Sequence, residues 1–194
     1  MSTTTAFQRM SRRTVLAGAP LVQIAALASA APIAPAVFTP AQMQLIEAVT
    51  ERLIPADELG PGAREAGVPV YLERSFAGPL SADRGVFSAG LDAMEAAGFT
   101  KLSTALQNDF LAAMERNEVS GFRPDSRAFF IRLRQLTLEG MFGDPGYGGN
   151  QNYAGWDLIR YPGPRMAVSA EDQRLREPIK PLRVSARKKT MGAR

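Results

Sequence analysis

Histidine and cysteine are both absent from the 194 residues of this chain. Without imidazole or thiolate the chain lacks the usual protein ligands of haem, zinc, iron–sulfur clusters and copper. It also lacks an imidazole base for acid–base or nucleophilic catalysis. With no cysteine there are no disulfides, so stability must come from packing. Other absences narrow the field further. No period-two run of β-branched residues occurs, which argues against a sheet. The glycine-rich segment has neither a lysine after it nor a strand before it, so it is not a phosphate loop. No basic face is interleaved with aromatics, which argues against nucleic-acid binding.

Acidic residues are missing from the start as well: the first carboxylate is Glu47. Ahead of it, Arg9, Arg12 and Arg13 precede an apolar run from Val15 to Ala28, broken only by Gly18, Pro20 and Gln23. The run ends at Ala28-Ser29-Ala30, a small-x-small pattern that suits signal peptidase. Ser11-Arg12-Arg13-Thr14-Val15-Leu16 resembles a bacterial twin-arginine signal, with Val15 where an aromatic is usual and Ala17 where a lysine is usual. Residues 1–30 are therefore expected to direct export to the periplasm through the twin-arginine translocase. The alternative is an uncleaved anchor, for which the run is short against the roughly 20 apolar residues that span a bilayer.

Charge is unevenly placed. The formal net charge of +4 falls to +1 once the three leader arginines are set aside. From Arg174 onward eight basic residues face Glu177 alone, a net of +7, which leaves −6 on residues 31–173. The tail 164–194 reads either as a solvated arm or as a segment that meets an acidic partner or anionic headgroups.

The 164 residues after position 30 suit one domain with a real core. Residues 31–38 look like a linker. Thr39-Pro40-Ala41-Gln42 predicts a helix start with a capping box, and Ile46, Val49 and Leu53 form one apolar face before Pro55. Val68, Leu72 and Phe76 predict a short second helix. Ser81 is the expected cap of a third, with Phe87, Leu91 and Met94 inward and Gly98 at its end. A fourth spans about Ser103 to Arg116, with Leu106, Phe110 and Met114 inward. A fifth starts at Asp125 or Ser126 and buries Phe129, Leu133 and Leu136. The expected fold is all-α, a single-domain bundle of about five helices spanning 39–163, with a Gly-rich loop and an extended tail.

The loop at 143–163 holds the single tryptophan, four glycines between Gly143 and Gly149, and side-chain amides. Tyr147, Gly148, Gly149, Asn150, Tyr153, Gly155 and Trp156 are the candidate docking residues: aromatics as anchors, glycines for close approach, Asn150 for hydrogen bonds. The alternative is an ordered turn that packs Trp156 back onto the bundle. For catalysis or a hard cation only Asp57, Glu58, Glu139 and Asp144 lie near motif positions, and capping or loop hydrogen bonds account for such residues more readily. No catalytic, cofactor-binding or metal-binding residue is assigned.

Four stretches stand out as motifs: Glu51-Arg52-Leu53-Ile54-Pro55-Ala56-Asp57, Gly62-Ala63-Arg64-Glu65-Ala66-Gly67-Val68, the Glu139-to-Asn150 run, and Gly155-Trp156 followed by Tyr161-Pro162-Gly163. In these the chain resembles subunit 3, the small subunit, of the gluconate 2-dehydrogenase family. The resemblance implies a non-catalytic accessory subunit. Its partner would be a large flavoprotein of the glucose–methanol–choline type that holds FAD and oxidises a sugar or sugar acid. Electrons would then pass to a cytochrome c subunit or another acceptor. The small subunit would lend its Arg12-Arg13 signal to that partner and stabilise it, with membrane association only indirect. Two other classes stay open beside it: a stand-alone periplasmic carbohydrate-binding protein and a membrane-tethered scaffold.

Overall fold

The computed structural model describes residues 36–170, 172–174 and 179–187. The expected export signal with Arg12 and Arg13, most of the expected linker and the last basic residues lie outside the described residues. Five helices of ten residues or more are present: α1 (Pro40–Leu53), α2 (Val68–Ala77), α3 (Arg84–Ala96), α4 (Thr104–Glu115) and α5 (Ser126–Phe142). A sixth, α6 (Ala154–Leu158), is a single turn and a half inside the Gly-rich loop. Among the described residues there is no strand, only an isolated bridge between Asp57 and Gly60. No helix among them is long and apolar enough to cross a membrane.

Local chemistry sets most helix ends. The Gln42 N–H donates to Thr39 Oγ1 at 3.2 Å and the Thr39 N–H donates to Gln42 Oε1 at 3.0 Å, so the capping box forms. Asp125 caps α5 through the Ala128 N–H at 2.8 Å. Ser103 caps α4 through the Leu106 N–H at 3.4 Å. Ser81 behaves differently from expectation. It opens a 3₁₀ turn, Ser81–Asp83, and its side chain caps nothing; α3 begins three residues later. The backbone N–H groups of that turn bond to carbonyls of the preceding loop, at Gly78 and Leu80, so no side-chain cap is needed.

The core is a phenylalanine-rich cluster. Phe76 stacks on Phe87 with ring centroids 4.4 Å apart, and Phe38 meets Phe76 edge-on at 5.5 Å. Phe38 is 2% exposed, so the residue expected at the end of the linker is a core residue. Leu45, Ile46, Val49, Leu72, Leu91, Met94, Leu133 and Leu136 are fully buried around this cluster. Each such side chain contributes about 1.5–3 kcal/mol on leaving water. In α4 the buried positions are Leu111 and Met114, with Phe110 half-buried against Phe99 at 5.6 Å. Leu106, expected inward, is 52% exposed. Its spacing puts it on the Phe110 side of the helix, and α4 buries the face carrying Leu111 and Met114 more deeply.

The loop between α1 and α2 is held by Glu51. Its carboxylate accepts from the Ala56 and Arg64 N–H groups, both at 3.1 Å, drawing the two ends of residues 56–64 together. From there the Ala66 carbonyl accepts the Gln151 N–H at 2.9 Å. The Glu51-to-Val68 stretch and the Gly-rich loop, far apart in sequence, thus meet at one end of the bundle.

Candidate functional site

The Gly-rich loop is built around Asn150. This side chain is fully buried, on a left-handed backbone with φ 45°. Its amide NH2 donates to the Gly143 carbonyl at 2.8 Å, while its Oδ1 accepts from the Gly155 N–H at 2.9 Å and the Trp156 N–H at 3.4 Å. Its own backbone N–H donates to the Gly140 carbonyl at 2.7 Å. One asparagine therefore ties the last turn of α5 to the first turn of α6. The hydrogen bonds expected of Asn150 toward a partner are made within its own chain.

Two glycines allow this close join. A Cβ on Gly149 would lie 2.1 Å from the Gly140 carbonyl oxygen, and one on Gly155 would lie 1.9 Å from the Met141 carbonyl oxygen. Both obstacles are backbone, which cannot swing aside. Gly148, with φ 107°, is buried beside the Arg74 side chain. Asn152, Tyr153 and Arg160 also take positive φ, between 54° and 63°. A run of left-handed non-glycine residues is costly locally and persists only where surrounding contacts over-determine it.

Trp156 is 6% exposed. Its indole N–H donates to the Phe142 carbonyl at 2.9 Å, and its ring meets Tyr161 edge-on at 4.9 Å and Tyr153 at 5.6 Å. Of the two alternatives for this residue, the structure has the turn that packs Trp156 onto the bundle. Asn150, Gly148, Gly149, Gly155 and Trp156 lie inside the subunit and shape the loop, and Tyr153 is half-buried beside them. Tyr147, at 51% exposed, is the candidate docking aromatic that faces outward. Ile159 and Tyr161, at 54% and 38% exposed, are further exposed side chains of the same loop. Neither was a sequence candidate. The signal for them was weak: apolar residues following a Trp in a segment with no helical period of its own.

The tail does not project as a free arm throughout its length. Residues 179–187 return across the loop as a strap. The Leu182 N–H donates to the Pro162 carbonyl at 3.0 Å, and Arg183 pairs with Asp157 at 2.7 Å. The Ser185 hydroxyl donates to Asp144 Oδ1 at 2.5 Å and the Ala186 N–H donates to Asp144 Oδ2 at 2.7 Å. Arg187 donates to the Gly146 carbonyl at 3.2 Å and lies over the Tyr147 ring, 4.9 Å from its centroid.

The carboxylates considered for chemistry are all engaged in such structural bonds, apart from Glu58. Asp57 accepts the Leu59 N–H at 2.8 Å in its turn. Glu139 accepts from the Tyr71 hydroxyl and from Gln135, both at 2.8 Å. Burial, reinforced by that bond to Glu139, pushes the Tyr71 phenol up to about 12, so it stays a donor at any physiological pH. Among the described residues no group of three or more acidic side chains gathers as a metal site.

Asp144 has the opposite balance. Burial raises its carboxyl, but hydrogen bonds from Ser185 and from the Gly146, Ala186 and Arg187 backbone outweigh that and hold it below its ordinary value. A depressed carboxyl stabilises the folded arrangement above its unfolded value of about 3.9 and loses that contribution as pH falls through the folded value. Asp144→Asn is accordingly expected to loosen the strap at neutral pH as acid does in the parent chain. Hydrogen exchange at the Ala186 amide is the measurement; unchanged protection in the variant would rule out Asp144 as the strap's anchor.

A family model described as gluconate 2-dehydrogenase subunit 3 matches residues 40–163. The chain belongs to that family. No curated protein and no solved structure matches it. The match begins at the first residue of α1 and ends at Gly163, so it takes in the whole helical bundle and the Gly-rich loop. The strap at 179–187 lies beyond it. Membership makes the chain an accessory subunit of a dehydrogenase complex, with a catalytic subunit as its partner. The stretches that carry the family resemblance are those seen to converge: Glu51 to Val68, Glu139 to Asn150, and Gly155 to Gly163.

Proposed function

We propose that this subunit escorts and stabilises an FAD-holding catalytic subunit of the glucose–methanol–choline type, which oxidises a sugar or sugar acid in the periplasm. The Arg12-Arg13 signal leads both chains across the membrane, and the Gly-rich end of the bundle is where they join. Electrons leave through a cytochrome c subunit or another acceptor, and contact with the membrane is indirect.

The observation that carries the docking assignment is the distribution of exposed apolar side chains. Of fourteen large ones exposed among the described residues, eight lie between Tyr147 and Val184. The six others are scattered over α2 to α5 and the loop before α2. Exposed apolar side chains concentrated in one stretch of chain beside a tightly braced frame suit a subunit interface. Within this reading Tyr147, Ile159 and Tyr161 make the contact. Asn150, Gly149, Gly155 and Trp156 hold the loop in the shape that presents them.

Ile159→Asp in the full chain tests it. The side chain is exposed, so the melting temperature should stay within about a degree or two. Affinity for the catalytic subunit should fall roughly 10- to 100-fold, as for truncation of an interface anchor. Flavin absorbance should accordingly stop copurifying with the variant while it copurifies with the parent. Normal copurification would exclude this end of the bundle as the docking site.

A further inference from the structure

We infer that the strap 179–187 and the Gly-rich loop form one composite docking surface, and that the strap's basic side chains fit it to a catalytic subunit bearing an acidic patch. This rests on the assignment of the Gly-rich end as the joining face and adds which part of the chain selects the partner.

Two cavities flank the Tyr161 ring, and each has walls from both segments. One, of about 400 Å³, lies between Trp156, Arg160 and Tyr161 on the loop and Ile179 and Pro181 on the strap. The other, of about 360 Å³, lies between Phe142, Ile159 and Tyr161 on one side and Ala186 on the other. The strap supplies two lining residues of the first and one of the second. The strap also supplies three of the exposed apolar side chains, Ile179, Leu182 and Val184, at 36–42% exposed. They extend the surface that Ile159 and Tyr161 begin.

Its charge is of one sign. Lys180, Arg183 and Arg187 are its ionisable residues, and Lys188 and Lys189 follow directly in sequence. Arg183 remains 57% exposed although paired with Asp157, so its field still reaches outward. The helical body from α1 to α5 is acidic by comparison, with fourteen carboxylates against ten basic side chains in residues 40–142. A partner that meets this rim rather than the body must present carboxylates there. Such complementarity governs partner choice and association rate more than it adds affinity.

A folded protein suits the relief better than a lipid surface. A membrane needs basic and apolar side chains but no paired cavities, and it needs no fixed shape. Here the strap's shape is fixed by Asp144, Asp157 and the Pro162 carbonyl. The family match ends at Gly163, so it takes in the loop and not the strap.

The test compares full-length chains carrying Lys180→Glu or Lys180→Glu with Arg187→Glu. Affinity for the catalytic subunit is measured at low and at physiological ionic strength, and hydrogen exchange at Leu182 to Ala186 reports whether the strap remains seated. The single variant should lose roughly 3- to 10-fold and the double roughly 30-fold or more at low salt, with a flatter salt dependence than the parent. The single variant leaves every strap hydrogen bond in place, so its loss reads charge alone. If both bind like the parent, the composite surface is wrong. If instead they lose binding to vesicles containing phosphatidylglycerol while keeping the catalytic subunit, the strap serves a lipid surface and the inference is overturned. Ile159→Asp separates the two levels: docking lost there but intact in the strap variants leaves the joining face standing and removes only the strap's role.

Discussion

Trp156→Ala is expected to lower the melting temperature of the isolated subunit by roughly 10 °C. Replacing a buried Trp by Ala costs about 3–5 kcal/mol, and in a domain of this size each kcal/mol moves the midpoint by about 2–4 °C. Three losses combine: the packing of the ring at 6% exposure, its contacts with Tyr153 and Tyr161, and the indole bond that caps the Phe142 carbonyl at the end of α5. Helical content at low temperature should be nearly unchanged, since α1 to α5 do not depend on this ring for their own hydrogen bonds. Affinity for the catalytic subunit should fall only as far as the loop loses its shape. Trp156→Phe separates the contributions, because it keeps an aromatic ring and loses chiefly the indole bond, at about 1 kcal/mol. A Trp156→Ala chain with a parental melting temperature but no partner binding would mean that the ring leaves its pocket to dock.

Changing Arg12 and Arg13 together to Lys should hold both this chain and its catalytic partner in the cytoplasm. The effect is expected to be close to all-or-none, because on the proposed export route a receptor reads the twin guanidinium groups and lysine lacks their planar donor geometry. The surroundings of the pair fit such a signal, with no acidic residue before Glu47 and Ala28-Ser29-Ala30 placed for cleavage. Fractionation followed by detection of both chains is the measurement. If the catalytic subunit still reaches the periplasm when this chain does not, it has a route of its own and the escort role fails. If both arrive normally, the signal itself is misassigned.

The helices were legible because their determinants are local. The Thr39–Gln42 capping box, Asp125 ahead of α5, and the four-residue spacing of Phe129, Leu133 and Leu136 act within a turn or two of each other. Ser81 was misleading for a related reason. A serine before an apolar stripe has the chemistry of a cap, but neighbouring carbonyls had already taken the N–H groups it would have bound. Leu106 shows a second limit. Period alone gives the direction of an apolar face to within a residue or so, and which edge of that face is covered depends on how deeply each side of α4 is packed.

The Gly-rich end divides differently. Composition picked out the segment, its aromatics and its glycines, and the family resemblance placed it in an accessory subunit. The amino-acid sequence by itself determined that this chain is all-α, has no imidazole or thiolate chemistry, and belongs beside a catalytic partner. Which of these side chains are buried and which reach solvent was decided only by the tertiary structure. Trp156 and Asn150 have the side chains of interface residues, and they are used inside because α5 ends with carbonyls that need donors and Asn150 and Trp156 supply them. The strap was equally invisible in the sequence. A basic tail looks solvated until Asp144 and Asp157, some 26 to 42 residues away, are brought within hydrogen-bond reach of it. Contacts at such separation leave no periodic signal, because they depend on where the chain returns rather than on what lies next to it.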